Sequence, residues 1–151
     1  GALRHLVYVD AVVPRPGESW SSTHGRATRQ ARLQAAAATP EFSFPPPDPA
    51  VFGLAAADYE WVKRRQTPHP GHTYEAPLDF DPARVARVPR TFIDCTAPAL
   101  GTIDAIRPRV RDARFWDGAW LPGSRIVTMA TGHDPMITRA DEITRLLLDL
   151  A

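Results

Sequence analysis

The sequence predicts an α/β protein built on parallel strands, with a long proline-rich insertion after the first strand. Three observations carry this. Short runs rich in β-branched and aromatic residues recur at His5–Val9, Arg90–Thr96 and Arg125–Ala130. Their apolar character is nearly continuous, as in strands buried on both faces of a parallel sheet. A strongly periodic helix closes the chain, with Ile143, Leu146, Leu147 and Leu150 at i, i+3, i+4, i+7. Finally, twelve of the sixteen prolines fall within residues 14–89, where strand signals vanish.

The first strand runs directly into Asp10-Ala11-Val12-Val13-Pro14. With no strand before it in the 151 residues, it is expected to lie at an edge with open hydrogen-bonding groups, or to pair with another chain. Within residues 14–89 two helices are expected. One is alanine-rich, from Arg26 to Ala38, and stops before Pro40; the other runs from Asp58 to about Gln66 with Asp58 as N-cap. The remainder reads as loop, and a long proline-rich interval inside an α/β protein reads as a lid or cap over a pocket. Its aromatic residues, Trp20, Phe42, Phe44, Phe52, Tyr59 and Trp61, either line an apolar site or form the cap's own small core. The second strand leads to a helix from Thr102, with Ile103, Ile106 and Val110 on one face and Pro108 shortening or kinking it. The aromatic loop from Ala113 to Gly123 is expected to fold back on the body. After the third strand, Thr138-Arg139-Ala140-Asp141 reads as a capping box for the last helix. The order is strand, cap, strand, helix, strand, helix.

Composition excludes several functions. With 18 basic and 17 acidic side chains the net charge is +1, which offers no field for nucleic acid or anionic lipid. No apolar run approaches the roughly 20 residues of a membrane span. The single cysteine, Cys95, has no internal disulfide partner, and no charged-then-apolar leader is seen, so a cytoplasmic location is expected. His69-Pro70-Gly71-His72 has metal-like spacing, but Pro-Gly makes it a turn, and only Cys95 and His133 stand as further ligand candidates; no metal is expected. No glycine-rich phosphate loop occurs, and no cofactor is expected. Cys95 lies in a strand predicted to be buried, which makes it core and not a nucleophile.

The stretch with most chemical content is Thr131-Gly132-His133-Asp134-Pro135-Met136, a histidine on the loop just past a strand. Together with Leu6–Pro14, Trp61–Pro68 and Thr91–Thr96, it makes the chain resemble the C-terminal part of an α/β-hydrolase. Within that superfamily it is similar to the small esterase branch that includes plant methyl-ester esterases, hydroxynitrile lyases and many bacterial esterases. The resemblance covers nearly all 151 residues, and glycine-histidine-aspartate before the final helix is its most specific part. It implies a partial α/β-hydrolase fold of the last three parallel strands with flanking helices, residues 1–13 and 90–151, and a helical cap at residues 14–89.

By match to the family, His133 is the catalytic histidine of a Ser-His-acid carboxylic-ester hydrolase. The family's nucleophile sits in a Gly-x-Ser-x-Gly elbow earlier in the chain. None of Ser19, Ser21, Ser22, Ser43 and Ser124 has that surround, so the serine is expected upstream of residue 1 and the 151 residues alone are expected to be inactive. The branch's usual place for the acid holds Ala97-Pro98-Ala99-Leu100. Other members place it at the end of the preceding strand, where Asp10 stands. Asp10 is either the acid or the cap of the turn before Pro14, and Asp104 is the second candidate, with a competing role in the first turn of its helix. Asp94 is mid-strand, and Asp134 adjoins His133 too closely to face its ring. Trp20, Phe52 and Trp61 are the expected substrate-binding residues. A small ester is the implied substrate, and the N-terminal half of the hydrolase or another chain the implied partner at the first strand. The rival reading is a non-catalytic fragment that binds a small ligand or a protein.

Overall fold

A computed structural model describes residues 3–112, 115 and 124–150. The chain runs β1 (Leu6–Val9), α1 (Arg26–Ala37), β2 (Ser43–Phe44), α2 (Ala56–Lys63), β3 (His69–Pro70), α3 (Gly71–Glu75), α4 (Pro82–Val85), β4 (Arg90–Cys95), α5 (Ile106–Arg111), β5 (Arg125–Met129), α6 (Pro135–Thr138) and α7 (Ala140–Leu148). Short 3-10 turns lie at Ser21–Thr23, Pro49–Phe52 and Gly101–Ile103. The main sheet is parallel, in the order β1-β4-β5, with Tyr8 opposite Phe92 and Ile93 opposite Val127.

All six residues of the central strand β4 are buried. Side chains alternate across a strand, so the apolar run divides between two faces. On one face Phe92 packs with Val13, Ile103, Ile106 and Val110, against which Tyr8 and Ile126 close. On the other, Ile93, Cys95 and Met129 pack with Ile143, flanked by Val7, Val9 and Leu146. The sheet is thus covered by α5 on one side and α7 on the other. Burying side chains of this size contributes roughly 1.5–3 kcal/mol each before the entropy of ordering them is counted.

Alternation also places Asp94 beside Phe92 on the α5 face, and Asp10, two residues past Tyr8, continues that face beyond the end of β1. Both carboxylates are almost wholly removed from solvent, Asp10 at 0% and Asp94 at 2% exposure. The third layer is the segment between β1 and β4. Its small antiparallel pair β2-β3 joins Phe44 to His69. A Glu18–Arg109 ion pair of 2.7 Å holds the start of this segment to α5.

Several expectations are corrected in detail. Residues 14–89 hold more regular structure than two helices, because β2 and β3 are two residues each and one contains Pro70, too short to leave a periodic trace. Asp58 is not an N-cap; it lies in the first turn of α2, whose N-cap is Ala55. The helix expected from Thr102 is split into a 3-10 turn and α5, because Pro108 falls in the third position of α5, where a missing N–H costs little. Thr138 does not cap α7. It ends α6, and its hydroxyl bonds the Thr131 hydroxyl at 2.5 Å, while Arg139 takes the N-cap position without a side-chain bond. Leu147 is 41% exposed and stands off the packed face of α7. Apart from Phe115, the aromatic loop from Ala113 to Gly123 lies outside the described residues.

Candidate active site

The loop after β5 is held from two sides. Ala97 N–H donates to the Thr131 carbonyl at 2.9 Å, and His133 N–H donates to the Phe52 carbonyl at 3.1 Å. The second contact ties this loop to the 3-10 turn at Pro49–Phe52. Gly132 makes that approach possible: a Cβ built there would meet Phe52 O at 2.0 Å. The glycine of the Gly132-His133-Asp134 motif is therefore a close-approach residue. Asp134 then precedes Pro135 and the short α6.

With its backbone fixed, His133 directs Nδ1 at Asp10 Oδ2, 2.8 Å away. Its ring is tilted against Phe52, with centroids 5.2 Å apart. Asp10 directly follows β1 with φ +42°, a left-handed conformation that aspartate tolerates better than most side chains. That turn carries the carboxylate across the end of the sheet. Its other oxygen, Oδ1, accepts from the Cys95 backbone N–H at 3.2 Å and from Arg107 Nη2 at 3.3 Å.

The electrostatics follow from burial. Burial pushes the Asp134 carboxyl up, opposed by the neighbouring His133 ring and reinforced by the negative charge of Asp10. Burial, then repulsion from Asp10 and Asp94, pushes the Cys95 thiol up to about 12. The thiol is therefore protonated and inert at neutral pH, a core side chain.

His133 and Asp10 lie on the wall of a cavity of about 1210 Å³ between the sheet end and the proline-rich segment. Trp20, Phe44, Phe52 and Tyr74 supply its aromatic surface. Trp20 stacks near Tyr74 with centroids 4.3 Å apart, under the Arg32 guanidinium at 4.3 Å. Of the expected substrate-binding residues, Trp20 and Phe52 line this cavity. Trp61 does not: it is 48% exposed on the outer side of α2, with Arg65 stacked on its ring at 4.3 Å.

Asp104, the second candidate for the acid, also borders the cavity. It is 69% exposed and paired with Arg107 Nη1 at 2.6 Å, and Asp10 is the carboxylate that meets the ring of His133. Asp94 bonds Arg107 and Arg111. His69 and His72 diverge, one bonding Thr73 at 2.6 Å and the other stacking on Phe42 at 4.7 Å. Among the described residues no serine hydroxyl bonds His133. Ser19 and Ser22 bond one another across a tight turn, and Ser124 accepts from Arg90 N–H.

Sequence reasoning missed Arg107 and Tyr74. For Arg107 a signal existed. Two aspartates on the buried face of apolar strands require cations, and Arg107 and Arg111 stand at i and i+4 on the helix packed against that face. For Tyr74 no signal existed, because α3 is only five residues long.

No protein-family model matches the chain. It is 30% identical to a carbendazim-hydrolyzing esterase of Nocardioides sp. strain SG-4G, in an alignment that covers 98% of this chain and 61% of that protein. Among solved structures it superimposes on an extracellular α/β-hydrolase from a Paenibacillus species, described as sharing structural and functional homology with tobacco salicylic acid binding protein 2. The TM-score is 0.74 at 15% identity, over 98% of this chain and 62% of that one. The chain thus spans about three fifths of the length of the proteins it matches. Among the described residues no helix is long and apolar enough to cross a membrane. The three parallel strands with helices on both faces and the structural likeness together show that the chain has part of the α/β-hydrolase fold, and its sequence is similar to that of an esterase.

Proposed function

We propose that this chain carries the general base of a serine-type carboxylic-ester hydrolase, with the nucleophile supplied from outside the 151 residues. The observation that carries the reading is the 2.8 Å bond between His133 Nδ1 and the fully buried Asp10. A carboxylate there holds the proton of the neutral ring on Nδ1 and leaves the Nε2 lone pair for a serine hydroxyl. In the reaction Nε2 takes the hydroxyl proton as the serine oxygen attacks the ester carbonyl. Asp10 stabilises the imidazolium that results, and Nε2–H then protonates the departing alkoxide. Water enters and repeats the sequence on the acyl-enzyme. Residues 14–89 serve as the cap, and the aromatic surface of Trp20, Phe44, Phe52 and Tyr74 accepts the apolar part of the ester. The partner is the remainder of an α/β-hydrolase, joined at the edge of β1 that no strand of the described residues pairs.

The test is to read the coding sequence upstream of Gly1 for a Gly-x-Ser-x-Gly elbow and to express the extended protein. Activated esters and carbendazim, the compound named for the Nocardioides relative, are the first substrates to try. The 151-residue chain alone is expected to show no turnover. The extended protein is expected to turn over, with kcat reduced on the order of 10⁴-fold or more by His133→Ala. Turnover that survives His133→Ala would remove His133 from the mechanism. An upstream region with a start codon and no elbow would favour a non-catalytic binding fragment instead.

A further inference from the structure

We propose that Arg107 is a positioning residue for the His133–Asp10 pair, and that its fork, not merely its charge, decides which ring nitrogen of His133 carries the proton. The inference rests on the reading of His133 as general base, oriented by Asp10.

A guanidinium has five N–H donors in a fixed planar fork, and Arg107 has five acceptors around it. Nε donates to Asp94 Oδ1 at 2.8 Å. Nη1 donates to the Leu100 carbonyl at 3.0 Å and to Asp104 Oδ1 at 2.6 Å. Nη2 donates to Asp10 Oδ1 and to the Cys95 carbonyl, both at 3.3 Å. The Arg107 side chain is 13% exposed. A long flexible side chain with every donor engaged has one orientation, and its acceptors are registered to it.

The consequence for Asp10 is geometric and electrostatic. Oδ1 is occupied by Arg107 and the Cys95 N–H, so Oδ2 alone is left for His133. Asp10 and Asp94 are both buried, each a bonding partner of this one guanidinium. Two anions confined in this way repel, and Arg107 is the donor that both share. Without that shared donor the Asp10 carboxylate is no longer held with Oδ2 toward the ring, and the Nδ1–H form loses its fixed acceptor. Arg111 neutralises Asp94 from the far side, and Asp104 completes the shell at the cavity rim. The other charged group bordering His133 is Asp134, which follows it directly. Lysine at position 107 would keep the charge but has three donors on a single nitrogen, too few for five acceptors on three sides.

The experiment follows the tautomer of the neutral His133 ring by ¹⁵N NMR of the 151-residue chain, assigned against His133→Gln. The backbone ¹H–¹⁵N spectrum reports folding at the same time. The wild-type ring is expected to be mostly Nδ1–H. Asp10→Asn should revert it toward the Nε2–H form that free imidazoles prefer. Arg107→Met should produce the same reversion with the backbone spectrum preserved outside the site, and Arg107→Lys an intermediate mixture.

If Asp10→Asn leaves the Nδ1–H form intact, the general-base reading itself fails. If Asp10→Asn reverts the ring and Arg107→Met does not, that reading stands and the positioning role is overturned. Should Arg107→Met not fold, Arg107→Lys decides: an intermediate mixture supports the role of the fork, and a wild-type tautomer overturns it.

Discussion

Asp10 follows β1 in a left-handed turn with no solvent contact, and each of its two oxygens has a defined partner set. Replacing it by asparagine keeps the size and the bond to Cys95 N–H but removes the charge and offers His133 an uncharged amide. On the proposed function, Asp10→Asn in the protein extended upstream is therefore expected to lower kcat on the order of 10⁴-fold with little change in KM, as the ring is held in the wrong tautomer. Steady-state kinetics on an activated ester check this, and a loss under tenfold would mean that another group orients His133. The residues of this pair are legible in the sequence to different degrees. His133 is marked by its neighbours Gly132 and Asp134 and by its place after a strand. Asp10 is one of four aspartates open to consideration, and only the fold brings it to the ring from 123 positions away. Arg107 was illegible as a partner because its bond to Asp10 spans 97 positions. The demand for some cation could still be read from two aspartates in apolar strands.

At the scale of elements, the three strands and α7 are legible because burial on both faces or on one face leaves a periodic record in the chain. The segment between β1 and β4 is not, because its pieces are held by contacts between elements and not by their own pattern. The turn at Pro49–Phe52 is an example. Asp48 caps it, accepting from Ala50 N–H at 2.9 Å, and Gly53 ends it with φ +81°. Its position over the histidine loop depends on Phe52 O meeting both His133 N–H and the bare Cα of Gly132. Gly132→Ala should separate the two loops, since a Cβ 2.0 Å from a backbone oxygen cannot be relieved by a side-chain rotation. Displacement on the order of 1 Å at a catalytic base costs about 10²-fold. On the proposed function, the protein extended upstream is accordingly expected to lose about 10²-fold in kcat/KM, with increased amide exchange at Phe52 and Gly53. Unchanged exchange there would mean that the turn does not rest on the histidine loop.

At the largest scale, the sheet has covered faces, and among the described residues its two outer strands, β1 and β5, each pair with β4 alone. Leu6 N–H donates to the Pro89 carbonyl at 3.0 Å and Asp10 N–H to the Ile93 carbonyl at 2.7 Å. The spacing of a parallel ladder then turns the Tyr8 amide toward β4 as well. The amides of Val7 and Val9 face the opposite way, where no strand of the described residues lies. A strand edge with unpaired N–H and C=O groups beside apolar side chains is a template for another strand. The proposed remainder of the hydrolase would pair there, since it must also bring the serine to the end of the same sheet to reach His133. Amide hydrogen exchange separates this from a self-sufficient fold. In the 151-residue chain, monomeric by light scattering, Val7 and Val9 are expected to exchange at least tenfold faster than Tyr8 and Ile93. In the protein extended upstream, Val7 and Val9 should slow to the rate of Tyr8. Equal protection of Val7, Tyr8 and Val9 in the monomeric short chain would mean that the edge is already closed, and the incoming strand would have no place to pair.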